Sequence, residues 1–334
     1  MMLERGDRMK TSKRFILCIV TLILISGFIT GCSSKEDKEM IKIGVSQLVQ
    51  HDALDMALKG FVEGLKEAGY EDGRNIKIDY QNAQGDQSNA NTIAAKFVND
   101  KVDLILAIAT PAAQAAANAT KDIPILVTAI TDPAAAKLVA SNERPGGNVT
   151  GTSDLTPVEK QMDLLKQLLP EVKTVGILYC SSEDNSVLQV KMAEETAKNL
   201  GLKTVNGSVS NSNEIQQVVQ SLVGKVDAIY APTDNLIASG METVSMVAKE
   251  AGIPIICGES GMVEKGGLAT YGIDYYNLGK RTASQAVKII EEKDIPANMP
   301  IEHLSDEDLS VVINGDLAKE LDIIIPEEYK DQVN

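Results

Sequence analysis

The sequence predicts an α/β protein made of two Rossmann-like lobes, each built on a mostly parallel sheet. Three observations predict it. Strand-length apolar runs alternate with helix-length amphipathic ones, the rhythm of βαβ units. Some of the strands, Val102–Ile108 and Pro124–Ile130, are apolar almost throughout, as strands covered on both faces must be. Finally, features of the first half recur in order about 130 residues later. Ile43-Gly44-Val45 returns as Val175-Gly176-Ile177, Lys101-Val102-Asp103 as Lys225-Val226-Asp227, and Ile123-Pro124-Ile125 as Ile253-Pro254-Ile255.

In chain order, the first segment is a targeting signal rather than fold. Lys10, Lys13 and Arg14 precede an uncharged run of 14 residues, Phe15 to Phe28, and small residues lead to Cys32. The run is short of the roughly 20 residues that span a bilayer as a helix. Ile29-Thr30-Gly31-Cys32 resembles a bacterial lipobox, so residues 1–31 are expected to be cut away and Cys32 to carry a diacylglyceryl anchor. Glu4 and Asp7 lie in an acidic lead before Met9, a second candidate start. Residues 32–40, small and charged, read as a flexible tether. The expected location is the extracytoplasmic face of the cell membrane.

Five basic and two acidic residues precede Cys32, so the chain's 32 basic and 47 acidic residues become 27 and 45 in the remainder. A net charge of −18 argues against a nucleic-acid partner, because nothing offsets phosphate repulsion.

Within the folded part, Ile41–Ser46 is a short β-branched run. Asp52 to Ala68 follows as a helix, with Leu54, Leu58, Phe61, Val62 and Leu65 at helical spacing and Gly69 as its stop. Asn75–Tyr80 alternates as a strand, and Asp86–Asp100 carries Ile93, Ala94, Phe97 and Val98 on one helical face. After Gly266 the repeat breaks: Leu268–Ile273 reads as a strand, Leu278–Glu291 as a helix, Leu309–Ile313 as a strand and Ala318–Leu321 as the start of a last helix. These surplus elements predict that the chain returns to the first lobe before finishing on the second. Cys180 and Cys257 each follow an apolar run without C-x-x-C spacing and read as small buried thiols rather than a disulfide. His51 and His303 are the only histidines, and neither a metal nor a cofactor is expected.

A family resemblance enters through motifs spread over residues 41–330. They include Ile43-Gly44-Val45-Ser46-Gln47, His51-Asp52-Ala53-Leu54, Asp79-Tyr80-Gln81-Asn82-Ala83-Gln84-Gly85 and Ala107-Ile108-Ala109-Thr110-Pro111-Ala112-Ala113-Gln114. Thr131-Asp132-Pro133, Pro145-Gly146-Gly147-Asn148-Val149-Thr150-Gly151, Pro232-Thr233-Asp234-Asn235 and Ala269-Thr270-Tyr271-Gly272-Ile273-Asp274-Tyr275-Tyr276 continue the series. Together they resemble a family of ABC-transporter substrate-binding proteins that includes tryptophan and tyrosine binders. The resemblance implies a type I periplasmic-binding-protein-like fold, with two lobes, a three-segment hinge and ligand in the cleft between them. It also implies a membrane permease and an ATPase as partners. On this reading residues 41–153 plus about 275–302 form lobe one, and 154–274 plus about 303–334 form lobe two. Closure is expected about Ser153–Pro157, Tyr271–Asp274 and Ile301–Ser305, and the protein is expected to act as a monomer.

In an open parallel sheet, ligands sit beyond the carboxyl ends of the strands, where unpaired N–H groups at helix starts favour anions. The candidates are therefore the polar residues just past each strand: Ser46, Gln47, Ala109, Thr110, Thr131 and Asp132 in lobe one, and Asn185, Thr233, Asp234 and Glu259 in lobe two. Thr110-Pro111-Ala112 reads as an N-cap with Pro at N1. Thr110 Oγ1 and the amide of Ala112 are the candidate grip for a ligand carboxylate, with a plain cap as the competing reading. Asp132 before Pro133 has the same grammar, and a cap alone explains it. Asp234 in lobe two is the first choice to pair with a ligand ammonium, Glu259 the second. His51 is expected to be a surface helix residue. With no Trp for stacking on a sugar, a hydrophobic or aromatic amino acid is the favoured ligand. A sensor domain feeding a membrane signalling protein remains the alternative. An enzyme is disfavoured by the lack of a Gly-x-Ser-x-Gly elbow, a Walker A loop or a His-Glu-x-x-His motif.

Overall fold

The structure, a computed structural model, describes residues 40–305 and 308–334. The signal segment, Cys32 and the tether up to residue 39 lie outside the described residues. Within them, no helix is long and apolar enough to cross a membrane.

Two six-stranded sheets organise residues 40–334. Sheet one contains β1 (Ile41–Gln47), β2 (Ile76–Asn82), β3 (Leu104–Ile108), β4 (Ile125–Ile130), β5 (Val149–Ser153) and β11 (Glu302–His303). Its order is β2-β1-β3-β4-β5-β11, all parallel. Sheet two contains β6 (Thr174–Cys180), β7 (Lys203–Val209), β8 (Ala228–Ala231), β9 (Ile255–Cys257), β10 (Ala269–Ile273) and β12 (Leu309–Ile313). Its order is β7-β6-β8-β9-β10-β12, with β12 alone antiparallel. The first five strands of each sheet follow the same 2-1-3-4-5 order, so the internal repeat is a repeat of topology.

The recurring motifs perform the same local task in each lobe. The Asp103 carboxylate accepts the Lys42 N–H at 2.7 Å, tying the start of β3 to the start of β1. Asp227 does this for sheet two, accepting from the backbone of Lys173 at 2.9 Å and Thr174 at 2.8 Å. Pro124 and Pro254 cannot donate to a ladder, yet each offers its carbonyl to the next strand, to Ile105 and Ile229, at 2.9 Å. Both motifs thus fix which strand lies beside the central one, and at what register.

Helices cover both faces of each sheet. In lobe one they are α1 (Asp52–Glu67), α2 (Gln87–Asn99) and α3 (Thr110–Ala119). Lobe two has α4 (Val158–Leu168), α5 (Asp184–Asn199), α6 (Ile215–Leu222), α7 (Asn235–Ser239), α8 (Met241–Glu250) and α9 (Ser260–Glu264). The chain then returns: α10 (Tyr275–Ile290) leaves β10 of sheet two and packs its buried face on α1 of lobe one. A last helix, α11 (Gly315–Glu320), closes lobe two. The chain therefore passes between the sheets three times, between Ser153 and Val158, at Asp274, and between His303 and Leu309.

The α1–α10 contact is made backbone to backbone. A Cβ built at Gly60 would lie 2.0 Å from the Tyr276 carbonyl oxygen, and one at Gly279 2.0 Å from that of Ala57. Only glycine permits this approach from both sides.

Candidate functional site

The carboxyl ends of both sheets face each other across a cleft, and the loops after β1, β3, β6 and β8 flank the point where strand order reverses in each sheet. The lobes touch across it. Gln114 Nε2 donates to Asp184 at 2.8 Å, Gln189 Nε2 to Thr131 Oγ1 at 3.1 Å, and His51 Nε2 lies 3.3 Å from Asn235 Oδ1. Lys265 pairs with Asp52 at 3.0 Å. The cleft is closed.

A narrow cavity of about 10 Å3 remains between the lobes. It is lined by His51, Leu54, Ala129 and Thr131 from lobe one, by Asn185, Thr233, Asp234, Asn235, Ala238 and Glu259 from lobe two, and by Asp154 and Tyr275 at two of the three crossings. That is room for about one water and far below the roughly 300–1,000 Å3 of small-molecule sites, so a ligand must hold the lobes further apart than they stand here. Backbone placement contributes to its shape. Ala129 has φ 55° within β4, where the pairing with β5 shifts register, and Ala109 after β3 has φ 80°. Two non-glycine residues in the left-handed region at strand tips are strain held at the cleft edge.

Electrostatically the cavity is acidic, and among the described residues no Lys or Arg lines it. Burial pushes the Asp154 carboxyl up to about 6, against the lowering effect of the Tyr275 hydroxyl that donates to it at 2.9 Å. It pushes Glu259 to about 7 and raises Glu183 and Asp234, with the Glu183–Asp234 repulsion adding to the rise at Glu183. His51, buried and 6 % exposed, is lowered to about 4 and is a neutral imidazole near pH 7. Several buried polar atoms have no partner in the protein: Asp154 Oδ1, Asn185 Oδ1 and His51 Nδ1 on the cavity, and Ser46 Oγ and Gln47 Oε1 behind the tip of β1.

Of the residues singled out from sequence, Thr131, Asn185, Thr233, Asp234 and Glu259 line the cavity. Ser46, Gln47, Ala109, Thr110, Ala112 and Asp132 do not, although all but Asp132 are buried beside it or in α3. Three expectations need correction. Thr110 is not the cap of α3: β3 runs to Ile108, Ala109 makes the turn, and Thr110 is the first helical residue. Asp132 accepts from the N–H groups of Ala134 and Ala135 as a cap would, but a turn follows rather than a helix, and Asn142 Nδ2 also donates to it at 3.0 Å. His51 is not a surface residue, because the helix it precedes starts at the cleft and lobe two closes over it.

Asp234 and Glu259, the two candidates for an ammonium, are helix N-caps. Asp234 accepts from Ile237 at 2.8 Å through one oxygen and from the Cys180 N–H through the other. Glu259 Oε2 accepts from Gly261 at 2.6 Å. Glu183 is likewise occupied, by the side chain of Asn235 and by the Leu236 N–H at 3.1 Å. Sequence reasoning missed Asp154 and Asn235. Asp154 had a signal, a polar residue directly after a strand, but that strand, β5, reads Val-Thr-Gly-Thr-Ser and has only one apolar residue of size. Cys180 and Cys257 are free and buried.

Comparison with known proteins agrees with this geometry. A curated relative, the tyrosine-binding protein of Clostridioides difficile strain R20291, is 46% identical over 324 residues, 93% of each chain. The Streptococcus pneumoniae ABC domain solved in complex with L-Trp is 44% identical with a TM-score of 0.85, covering 88% of this chain and 100% of that one. The ligand-free, open structure of a substrate binding protein with adhesive properties from Clostridium difficile is 48% identical but has a TM-score of only 0.67, covering 88% of this chain and 98% of that one. Of these two, the ligand-bound form matches better despite its lower identity, in keeping with the closed cleft found here. Solute-binding proteins below 25% identity share the type I periplasmic-binding-protein-like fold alone. The profile of the ABC transporter substrate binding protein family matches residues 42–332, and the chain belongs to that family.

Proposed function

We propose that this protein is a lipid-anchored extracytoplasmic receptor that closes its lobes on one aromatic or other hydrophobic amino acid and delivers it to an ABC permease and ATPase. The observation that carries the reading is the lining of the inter-lobe cavity: acidic and polar groups from both lobes, and no cationic side chain among the described residues. An α-ammonium is the natural complement of such a lining. Leu54, Ala129, Ala238 and Tyr275 supply apolar surface for a side chain. The tyrosine-binding relative and the L-Trp complex support the same ligand class. The anchor rests on the lipobox-like Ile29-Thr30-Gly31-Cys32.

Ligand that touches both lobes only when they are closed shifts the population toward the closed form, the form a permease can distinguish. Thermal unfolding of the purified protein against all twenty amino acids tests the reading. L-tryptophan or L-tyrosine is expected to stabilise the fold, by about 2.7 kcal/mol at a hundredfold excess over Kd, and to be recovered unchanged. Absence of stabilisation by any amino acid would reject it. For the anchor, Cys32→Ser is expected to move the protein from the membrane fraction to the medium or periplasm; unchanged membrane association would rule out a Cys32-linked lipid.

A further inference from the structure

We infer that the ligand's α-ammonium is held by three acceptors from three different parts of the fold, Asp154 Oδ1, Asn185 Oδ1 and His51 Nδ1, and not by the capping carboxylates of lobe two. The inference rests on the amino-acid reading above and names the atoms that read the amine.

Each acceptor lines the inter-lobe cavity, is buried, and has no hydrogen-bond donor within the protein. Their orientations are fixed by their neighbours. Asp154 is 5 % exposed; its backbone N–H donates to Ile130 at 3.0 Å and its Oδ2 accepts the Tyr275 hydroxyl, which leaves Oδ1 as the available oxygen. Asn185 Nδ2 faces acceptors only, the Thr233 carbonyl at 3.1 Å and Glu183 Oε2 and Ser186 Oγ at 3.3 Å. Flipping that amide would set oxygen against oxygen, so Oδ1 is the atom left without a donor. For His51 the tautomer follows from a chain of contacts. Asn235 Nδ2 is committed to Glu183, so Asn235 Oδ1 is the atom facing His51 Nε2. Nε2 must then carry the proton, and Nδ1 of the neutral ring presents a bare lone pair.

Three acceptors match the three N–H donors of a primary ammonium. One of them is a carboxylate oxygen, whose burial without a compensating cation is costly. Two of the lobe-two acids are already satisfied, since both oxygens of Asp234 and of Glu183 accept from N–H groups, and Glu259 commits its Oε2 to Gly261. The three acceptors also come from the start of α1, the first crossing and the start of α5, so one ammonium would tie lobe one, hinge and lobe two together. Recognition of the amine and closure of the cleft become the same event.

Equilibrium binding to the full chain in detergent tests this, using L-tryptophan and L-tyrosine beside their deaminated analogues, 3-(indol-3-yl)propanoate and 3-(4-hydroxyphenyl)propanoate. Wild type is expected to prefer each amino acid by at least ~30-fold. Asp154→Asn is expected to lose at least ~30-fold for the amino acids and less than about threefold for the analogues, which contain no amine to be held. Asn185→Ala should lose about five- to tenfold with the same selectivity, by the ~1–1.5 kcal/mol of one hydrogen bond, and serves if the Asp154 variant does not fold. Equal losses for amine and deaminated ligand, or no loss in either variant, would overturn the assignment while leaving the receptor reading intact. A wild type that binds neither amino acid removes both.

Discussion

The two lobes share strand order, strand-start clamps and cleft-facing loops, yet they use their polar groups differently. In lobe two the buried carboxylates Glu183, Asp234 and Glu259 are tied to backbone N–H groups at the starts of α7 and α9. Asp154, at the first crossing out of lobe one, keeps one oxygen unpaired. The difference teaches that an acid beside a cleft is not thereby a ligand contact. What distinguishes it is whether the fold has already used its lone pairs. By that criterion Glu183 and Asp234 build the wall, and Asp154 faces what enters.

Substitutions that tax the two kinds of acid differently sharpen the comparison. The largest effect is expected at Asp234. Asp234→Ala removes a cap and leaves the buried N–H groups of Cys180 and Ile237 without acceptors, at a cost on the order of 3 kcal/mol in urea unfolding. Asp234→Asn retains a capping oxygen, so it should cost less and spare ligand affinity. A stable Asp234→Ala with lost binding would return the ammonium to lobe two.

Next comes the pH dependence of the ligand-free protein. Asp154 is raised from 3.8 to about 6 by burial; the Tyr275 hydroxyl and Thr131 face it, and the raised acids Asp234 and Glu259 and His51, lowered to about 4, share its cavity. The folded state therefore holds this proton more tightly than the unfolded one. Its contribution is fullest below about pH 4 and is lost as pH climbs to 6, a fall on the order of 2 kcal/mol. Denaturant midpoints across that window are expected to fall less steeply in Asp154→Asn than in wild type, and the variant should also be the more stable protein near pH 7. Unchanged slopes would show that Asp154 is better solvated than its burial indicates.

The smallest expected effect compares the repeated clamps. Asp227 accepts two N–H groups and Asp103 one, both in exposed settings, so Asp227→Ala should cost about 1 kcal/mol and Asp103→Ala less. The reverse order in thermal melts would mean that the clamps are not equivalent.

Much of the fold was legible because it is written in periodicity. Apolar runs marked β3 and β4, helical spacing marked α1 and α2, and the clamps recur as short motifs because one local job demands one residue pattern. β5 was not legible: Thr150, Thr152 and Ser153 are buried, but their burial depends on hydrogen bonds to Met299, Thr128, Thr282 and Thr131, partners up to about 150 residues away. The site was legible only in outline. Strand tips located the cleft, while Thr110 and Asp132 carried a capping grammar that the backbone resolved as a first helical residue and as a turn. The choice among acids depended on hydrogen-bond saturation, a property of the whole arrangement that no single residue displays.

Gly60 and Gly279 have a consequence for how motion can be observed. With α1 and α10 seated carbonyl against glycine, that helix pair has no slack in which to absorb a displacement. A spectroscopic label on the solvent side of the pair would thus ride on a fixed mount, and its separation from a second label in the opposite half would report the jaw angle alone. Placing any side chain at either glycine would wedge that mount open and blur the readout before it touched the pocket.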